Sequence, residues 1–91
     1  MEKTLAEVKE GLRAMAYNFA VRIEPVYKKL NWTWCDKKET PTVDEIEETI
    51  LGLIDDLNGE NSIATGGLAV CWDTQERCYY ISFSDSAINY Y

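Results

Sequence analysis

The sequence contains no histidine. A chain without an imidazole has no histidine-based catalytic triad, no His-bound metal and no histidine acid–base catalysis. A cysteine nucleophile would likewise lack the imidazole that commonly activates it. These absences exclude several common classes of enzyme before any motif is considered.

Basic side chains are nearly missing from the second part of the chain. Residues 39–91 carry one basic side chain, Arg77, and eleven acidic ones, whereas residues 1–38 carry eight basic and five acidic side chains. The net charge of −7 therefore originates in the C-terminal part. Such an asymmetry bears on partners and association rates rather than on fold. Because phosphates would repel this chain, we do not expect direct nucleic-acid binding.

Cysteine is sparse, and long apolar runs are missing. Cys35, Cys71 and Cys78 are an odd number without the paired spacing of zinc ligands, so we interpret them as reduced thiols. No segment approaches the ~18 apolar residues of a membrane span, and the N-terminus lacks the apolar core of a secretory signal. The sequence therefore predicts a cytoplasmic protein without membrane association, metal or cofactor.

The first amphipathic helix is predicted over about residues 4–24. Its apolar positions recur at spacings of three and four, and residues 4–7 have the form of a capping box. Pro25 removes a backbone donor and disfavours helical geometry at the residue before it. We therefore expect the helix to stop or kink there, with a further turn that could extend to residue 30.

A second helix is predicted over about residues 43–57. It has the cleanest apolar stripe in the chain, a capping box at residues 42–45 and an Asn-Gly stop signal at residues 58–59. The helix is followed by a loop that includes a short edge strand at residues 63–65.

Two alternating segments, at about residues 68–73 and 78–84, predict a β-hairpin. If Asp73 pairs with Cys78, the large apolar side chains of both strands share one face, so we expect this register. The tail, residues 85–91, is expected to form a further strand or a helical turn. The sequence thus predicts one domain over residues 1–91, a two-layer α+β fold with both helices on a small antiparallel sheet.

Trp32 and Trp34 stand between the two helices and would share one face of an extended segment. Two indoles are costly to leave in water, so the first interpretation is that they close one end of the core. The second interpretation is that they are exposed aromatic anchors of the kind enriched at binding hot spots.

The second helix turns a broad acidic face away from its apolar stripe. At 100° per residue, the carboxylates on that face spread over about 120°. No basic residue of the same segment offsets the two aspartates of the last turn, where the helix dipole opposes negative charge. Gly52 falls on the same face, although a glycine costs about 1 kcal/mol relative to alanine inside a helix.

The acidic face predicts a non-enzymatic protein-binding or inhibitor module. Its partner would be a basic protein, in the concrete version a nucleic-acid-handling protein whose phosphate ligand the carboxylates mimic. Small acidic inhibitors encoded by phages and other mobile elements have this size and charge, which is an analogy of composition. The predicted partner-binding residues are Asp44, Glu45, Glu48, Gly52, Asp55, Asp56 and Glu60.

Three alternatives stay open. A homo-oligomeric structural or assembly protein would combine its basic first helix with its acidic second half, or complete the sheet with a second copy. A small enzyme or ligand carrier would use carboxylates, but it would need a pocket that the sequence does not show. The plainest interpretation is that the acidic face is only solvated, as on many surface helices.

Overall fold

The computed structural model describes residues 4–34, 37–84 and 89–90. Its elements are, in chain order, α1 (Leu5–Leu30), α2 (Val43–Asp56), β1 (Ser62–Thr65), β2 (Leu68–Asp73), β3 (Cys78–Ser84) and β4 (Asn89–Tyr90). The helices pack on an antiparallel sheet with strand order β1-β2-β3-β4. The two-layer α+β architecture predicted from the sequence is confirmed.

α1 does not stop at Pro25. The helix continues through the proline to Leu30 and ends at Asn31, whose left-handed backbone (φ 51°) lets its N–H donate to carbonyls of the last turn. Ile23 and Tyr27 are buried on either side of the proline. The burial of these two side chains stabilises the helix by more than the loss of the one hydrogen bond that proline cannot form. Packing in the core therefore overrides the local preference against a proline inside a helix.

α2 has the predicted cap and the predicted buried stripe. The Thr42 Oγ1 accepts the N–H of Glu45 at 3.2 Å, and the Glu45 carboxylate accepts the N–H of Thr42 at 3.1 Å. Val43, at the start of the stripe, is half-buried, and the other apolar residues of the stripe are buried: Ile46, Ile50, Leu53, Ile54 and Leu57. The side of α2 that faces away from the sheet is therefore the side that carries the acidic residues.

The β2–β3 hairpin has the register predicted from the alternation of its side chains, with Asp73 opposite Cys78. The Asp73 carboxylate accepts the N–H of Gln75 at 2.9 Å and that of Glu76 at 3.1 Å. Arg77 has a left-handed backbone (φ 57°), and its N–H donates to the Asp73 carbonyl at 2.8 Å. These bonds fix the turn, and the alternation fixes which face meets the helices.

The two edges of the sheet are short strands. β1 pairs antiparallel with β2 and contains the edge strand predicted at residues 63–65. At the other edge, residues 89–90 pair with β3 as β4, in agreement with the strand alternative for the tail. Residues 85–88 and 91 of that predicted tail lie outside the described residues.

The turn between β1 and β2 is the place where α1 meets the sheet. The Tyr27 hydroxyl donates to the Gly66 carbonyl at 2.6 Å, and Trp34 Nε1 donates to the same oxygen at 3.3 Å. Gly66 and Gly67 both have positive φ, 60° and 85°. The Tyr27 ring also contacts three other rings, with centroids 4.9 to 6.0 Å away: those of Trp32, Trp34 and Phe83.

Alanine at Gly67 is expected to destabilise the fold, whereas alanine at Gly52 is expected to stabilise it. A Cβ at Gly67 would lie 2.8 Å from the Trp32 ring and 3.0 Å from the Phe83 ring, in a left-handed backbone. Gly67→Ala should therefore lower the free energy of unfolding by about 2–4 kcal/mol. The Cβ position at Gly52 has no neighbour within 4 Å, so Gly52→Ala should raise that free energy by about 0.5–1 kcal/mol.

Urea unfolding followed by circular dichroism measures both changes. The two variants make the same chemical substitution, so each serves as the control for the other. Equal stabilities would contradict the packing of the aromatic side chains around the β1–β2 turn.

Candidate functional site

The acidic residues predicted from the sequence lie together on the outer side of α2. Residues four apart on a helix are neighbours on its surface, and this spacing recurs from Asp44 to Asp56. Asp44 and Asp56 are separated by about 18 Å along the helix axis, at 1.5 Å per residue. The acidic side of α2 is therefore long enough to contact a partner over three helical turns.

Asp55, one of the predicted partner-binding residues, has partners within the chain, although its side chain is 65% exposed. Arg13 of α1 donates to its carboxylate at 3.1 Å, and Lys9 Nζ donates to the Asp55 main-chain carbonyl at 3.0 Å. α1 thus supplies the positive charge that α2 lacks at its C-terminal end, where the helix dipole favours cations. No pattern close to Asp55 in the sequence predicts these contacts, because Arg13 and Lys9 precede Asp55 by 42 and 46 residues.

Glu45 and Glu60 are engaged by groups close to them in sequence. Glu45 accepts the N–H of Thr42 and lies 3.6 Å from Lys37 Nζ. The backbone hydrogen bond from Thr42 is the main cause that holds the pKa of Glu45 below its usual value, and the charge of Lys37 adds to it. Glu60 accepts the N–H of Asn58 at 3.0 Å. Glu45 therefore caps the N-terminal end of α2, and Glu60 fixes the turn that follows its C-terminal end.

The remaining predicted residues are Asp44, Glu48, Gly52 and Asp56, which we call the outer acidic face. All four are exposed, and they follow one another at intervals of four residues. Within residues 4–34 and 37–84, the three carboxylates form no ion pair and no side-chain hydrogen bond. The outer acidic face is thus the part of the predicted site that the chain itself leaves unneutralised.

Trp32 and Trp34 pack against the core. The Trp32 ring centroid lies 5.3 Å from that of Phe83 and 5.7 Å from that of Tyr27. Both indoles are half-buried, and Trp34 is hydrogen-bonded to the β1–β2 turn. These contacts follow the first interpretation of the sequence, in which the two residues close one end of the core.

A shallow, open depression lies at the connection between α1 and α2. Its volume is ≈ 370 Å³, and its lining is polar: Lys37, Lys38, Glu39, Thr40, Thr42 and Glu45. The pKa of Glu45 is lowered there, which is the opposite of what a general acid near neutral pH requires. In the part of the chain that the structure describes, no three His, Cys, Asp or Glu residues are grouped to hold a metal ion.

Cys71 and Cys78 are free thiols on different strands. Cys71 lies opposite Tyr80 in the sheet, as the predicted register requires, and its Sγ lies 3.8 Å from the Ser82 Oγ. Cys35, the third cysteine interpreted as a reduced thiol, lies outside the described residues. No disulfide therefore joins the two described cysteines.

Comparison with known proteins gives no match, whether with protein-family models, with curated proteins or with solved structures. Among the described residues, neither helix combines the length and the apolar character needed to span a bilayer. The functional interpretation therefore rests on the contacts and charges of the chain itself.

The free energy of unfolding should depend on pH through Glu45. Because its pKa is lower in the folded chain, its contribution is complete above the unfolded value and is lost as pH falls through the folded value. The stability difference between the wild type and Glu45→Gln should be largest near neutral pH and shrink below a pH of about 4.3. Urea unfolding near neutral pH and in acid measures this difference. The same difference in both conditions would exclude a contribution from the ionised carboxylate.

Proposed function

We propose that the protein is a non-enzymatic binding module that presents the outer acidic face of α2 to a basic surface of a protein partner. One observation carries the proposal. Asp44, Glu48 and Asp56 have no ion pair within the described residues. By contrast, Lys9 and Arg13 of α1 bind Asp55 at the C-terminal end of α2. The chain has thus neutralised Asp55 and left the outer acidic face negative.

The negative charge on this side has a small cost in the folded monomer. Like charges four residues apart, such as Asp44 and Glu48, destabilise a helix by about 0.2–0.5 kcal/mol. Asp56 lies in the last turn, where the helix dipole opposes its charge. A cationic partner would offset both effects. Destabilising charge interactions that the rest of the fold does not offset are typical of residues retained for binding.

Gly52 supports the same proposal. The residue lies inside α2 and carries no positive φ, and nothing lies within 4 Å of the position of a Cβ. Neither the backbone conformation nor the packing of the monomer therefore requires a glycine, which costs about 1 kcal/mol relative to alanine. Close approach of a partner to the helix backbone does require a small residue at this point.

The chemistry of the partner follows from the face. Lys and Arg residues on a surface that binds a phosphate backbone have the required sign. Duplex DNA carries one charge per about 1.7 Å of axis, so three carboxylates over about 18 Å reproduce its sign at lower density. We therefore propose that the face guides the protein to a nucleic-acid-handling partner and competes there with nucleic acid.

Reversal of two carboxylates should slow association with that partner. Asp44→Lys with Glu48→Lys should lower the association rate tenfold or more at low ionic strength, because electrostatic attraction mainly accelerates encounter. Glu39→Lys with Glu76→Lys is the matched control, since it changes the net charge equally at exposed carboxylates that are not part of the outer acidic face.

The experiment captures the partner on the immobilised wild-type protein and then measures association kinetics with the purified partner at low and high salt. The rate for the wild type should fall as salt is added, and duplex DNA should compete for the same surface. Equal association rates for the two double variants would reject the outer acidic face as the binding site.

Gly52→Ala separates binding from folding. The variant should be more stable than the wild type, yet it should bind the same partner at least tenfold more weakly, because the new methyl group holds the partner away from the backbone. Equilibrium titration of wild type and Gly52→Ala against the purified partner measures the change. Gly11→Ala is the control, since Gly11 is also helical and has no neighbour within 4 Å of its Cβ position.

A further inference from the structure

A second stripe of residues runs along α1 on the side away from the core. The spacings between its residues alternate between four and three, as they do between the a and d positions of a coiled coil. We call these residues the α1 seam: Glu10, Ala14, Tyr17, Val21, Glu24 and Lys28. Tyr17 is 53% exposed and Val21 is 45% exposed, and Ala14 is exposed as well. The seam therefore has the pattern of a helix-packing surface, and among the described residues no other helix covers its exposed apolar positions.

The α1 seam is uncharged in the middle and charged at its ends. The eight residues between Arg13 and Arg22 include no charged side chain. Glu10 lies at one end, 3.3 Å from Arg13, with its side chain 80% exposed, and Lys28 lies at the other end, 3.2 Å from Glu24, with its side chain 62% exposed. Both ion pairs lie within the chain, and they leave most of each end residue open to a second copy. The two residues are about 27 Å apart along the helix, at 1.5 Å per residue. The ends thus carry opposite charges in well-exposed positions.

We infer that the α1 seam binds the same seam of a second copy of this chain, with the two helices antiparallel about a two-fold axis. An a position of one antiparallel helix lies opposite a d position of the other. Tyr17 then lies opposite Val21 of the second copy, and Glu10 lies opposite its Lys28. The two-fold axis repeats each pair, so apolar contacts occupy the centre and opposite charges occupy both ends.

The remaining pair of the antiparallel arrangement is compatible with the same contact. Ala14 lies opposite Glu24 of the second copy, whose methylene groups can cover the small side chain while its carboxylate stays paired with Lys28 of its own chain, 3.2 Å away. In a parallel arrangement, by contrast, Glu10 would lie opposite Glu10 and Lys28 opposite Lys28. The charges of the seam therefore select the antiparallel direction.

The distribution of charge over the chain also favours α1 as the contact. Two copies with a net charge of −7 each repel one another. α1 carries five basic and three acidic side chains, whereas α2 carries six acidic and no basic side chains. Self-association through α1 therefore brings together the part of each chain that is least negative.

The length of the seam sets the strength that we expect. A contact of about 27 Å between two helices 8–10 Å apart is smaller than the ~800 Å² per partner of a standard interface. The dimer should accordingly be reversible, with a dissociation constant on the order of 10–100 µM.

Sedimentation velocity on the full chain over about 5–500 µM tests the inference, since a dimer of this affinity converts across that range. The wild type should shift from monomer to dimer, and Val21→Asp should remain a monomer throughout. Met15→Asp is the matched control: Met15 is another exposed apolar residue of α1, at 49% exposure, but it lies outside the seam. This variant should dimerise like the wild type, and thermal unfolding by circular dichroism shows that each variant is folded.

A charge exchange tests the direction of the helices. Glu10→Lys and Lys28→Glu should each weaken the dimer about threefold or more, and the double variant should restore it, because each end again pairs opposite charges. A wild type that stays monomeric, a dimer that Val21→Asp leaves intact, or a double variant without restoration would each overturn the inference. None of these outcomes bears on the outer acidic face, since that proposal rests on α2.

Discussion

The hydrogen bond from the Tyr27 hydroxyl to the Gly66 carbonyl, 2.6 Å long, joins α1 to the sheet. Tyr27 is fully buried, and burial raises the pKa of its hydroxyl, so the group remains a protonated donor at any physiological pH. The contact fixes the C-terminal half of α1 on the β1–β2 turn. The bonds of Lys9 and Arg13 to Asp55 fix its N-terminal half on α2. With both halves held, the outward side of α1 is determined as well.

This arrangement also explains how a chain with so uneven a charge forms a stable pair of helices. α1 contributes cations to the one end of α2 where its own residues are unfavourable, in place of the missing basic residues of the last turn. The ion pair between Arg13 and Asp55 is exposed and therefore contributes only about 0–1 kcal/mol. Most of the stability of the helix pair must therefore come from the buried stripes.

The parts of the fold that were predicted correctly from the sequence depend on short-range periodicity. The register of the hairpin follows from which side chains alternate, and the caps of both helices follow from residue pairs three apart. The helix does not stop at Pro25 and extends to residue 30, as the longer alternative allowed, because the burial of Ile23 and Tyr27 overrides a local preference. The contacts of Asp55 were missed because they join segments far apart in the chain. The hydrogen bond between Trp34 and Gly66 likewise depends on the tertiary fold.

The fold of the monomer explains some of the unusual residues of this chain and leaves others without a structural reason. In the part of the chain that the structure describes, every buried polar side-chain atom has a hydrogen-bond partner. Gly66 and Gly67 are explained by their positive φ and by the aromatic rings against them. Gly52 and the α1 seam have no such explanation within the monomer.

The surface of a solitary small domain usually mixes both signs of charge over its helices. Here the exposed side of α1 is uncharged and partly apolar in its middle, and the charged residues of the outer acidic face are all negative. Because the two sides belong to different helices, a cationic partner for α2 would leave the exposed apolar residues of α1 unexplained. A second copy against α1 would equally leave Gly52 unexplained. The outer acidic face and the α1 seam therefore require two separate contacts. The contact of α2 is sensitive to salt, and the contact of α1 depends on the concentration of the chain itself.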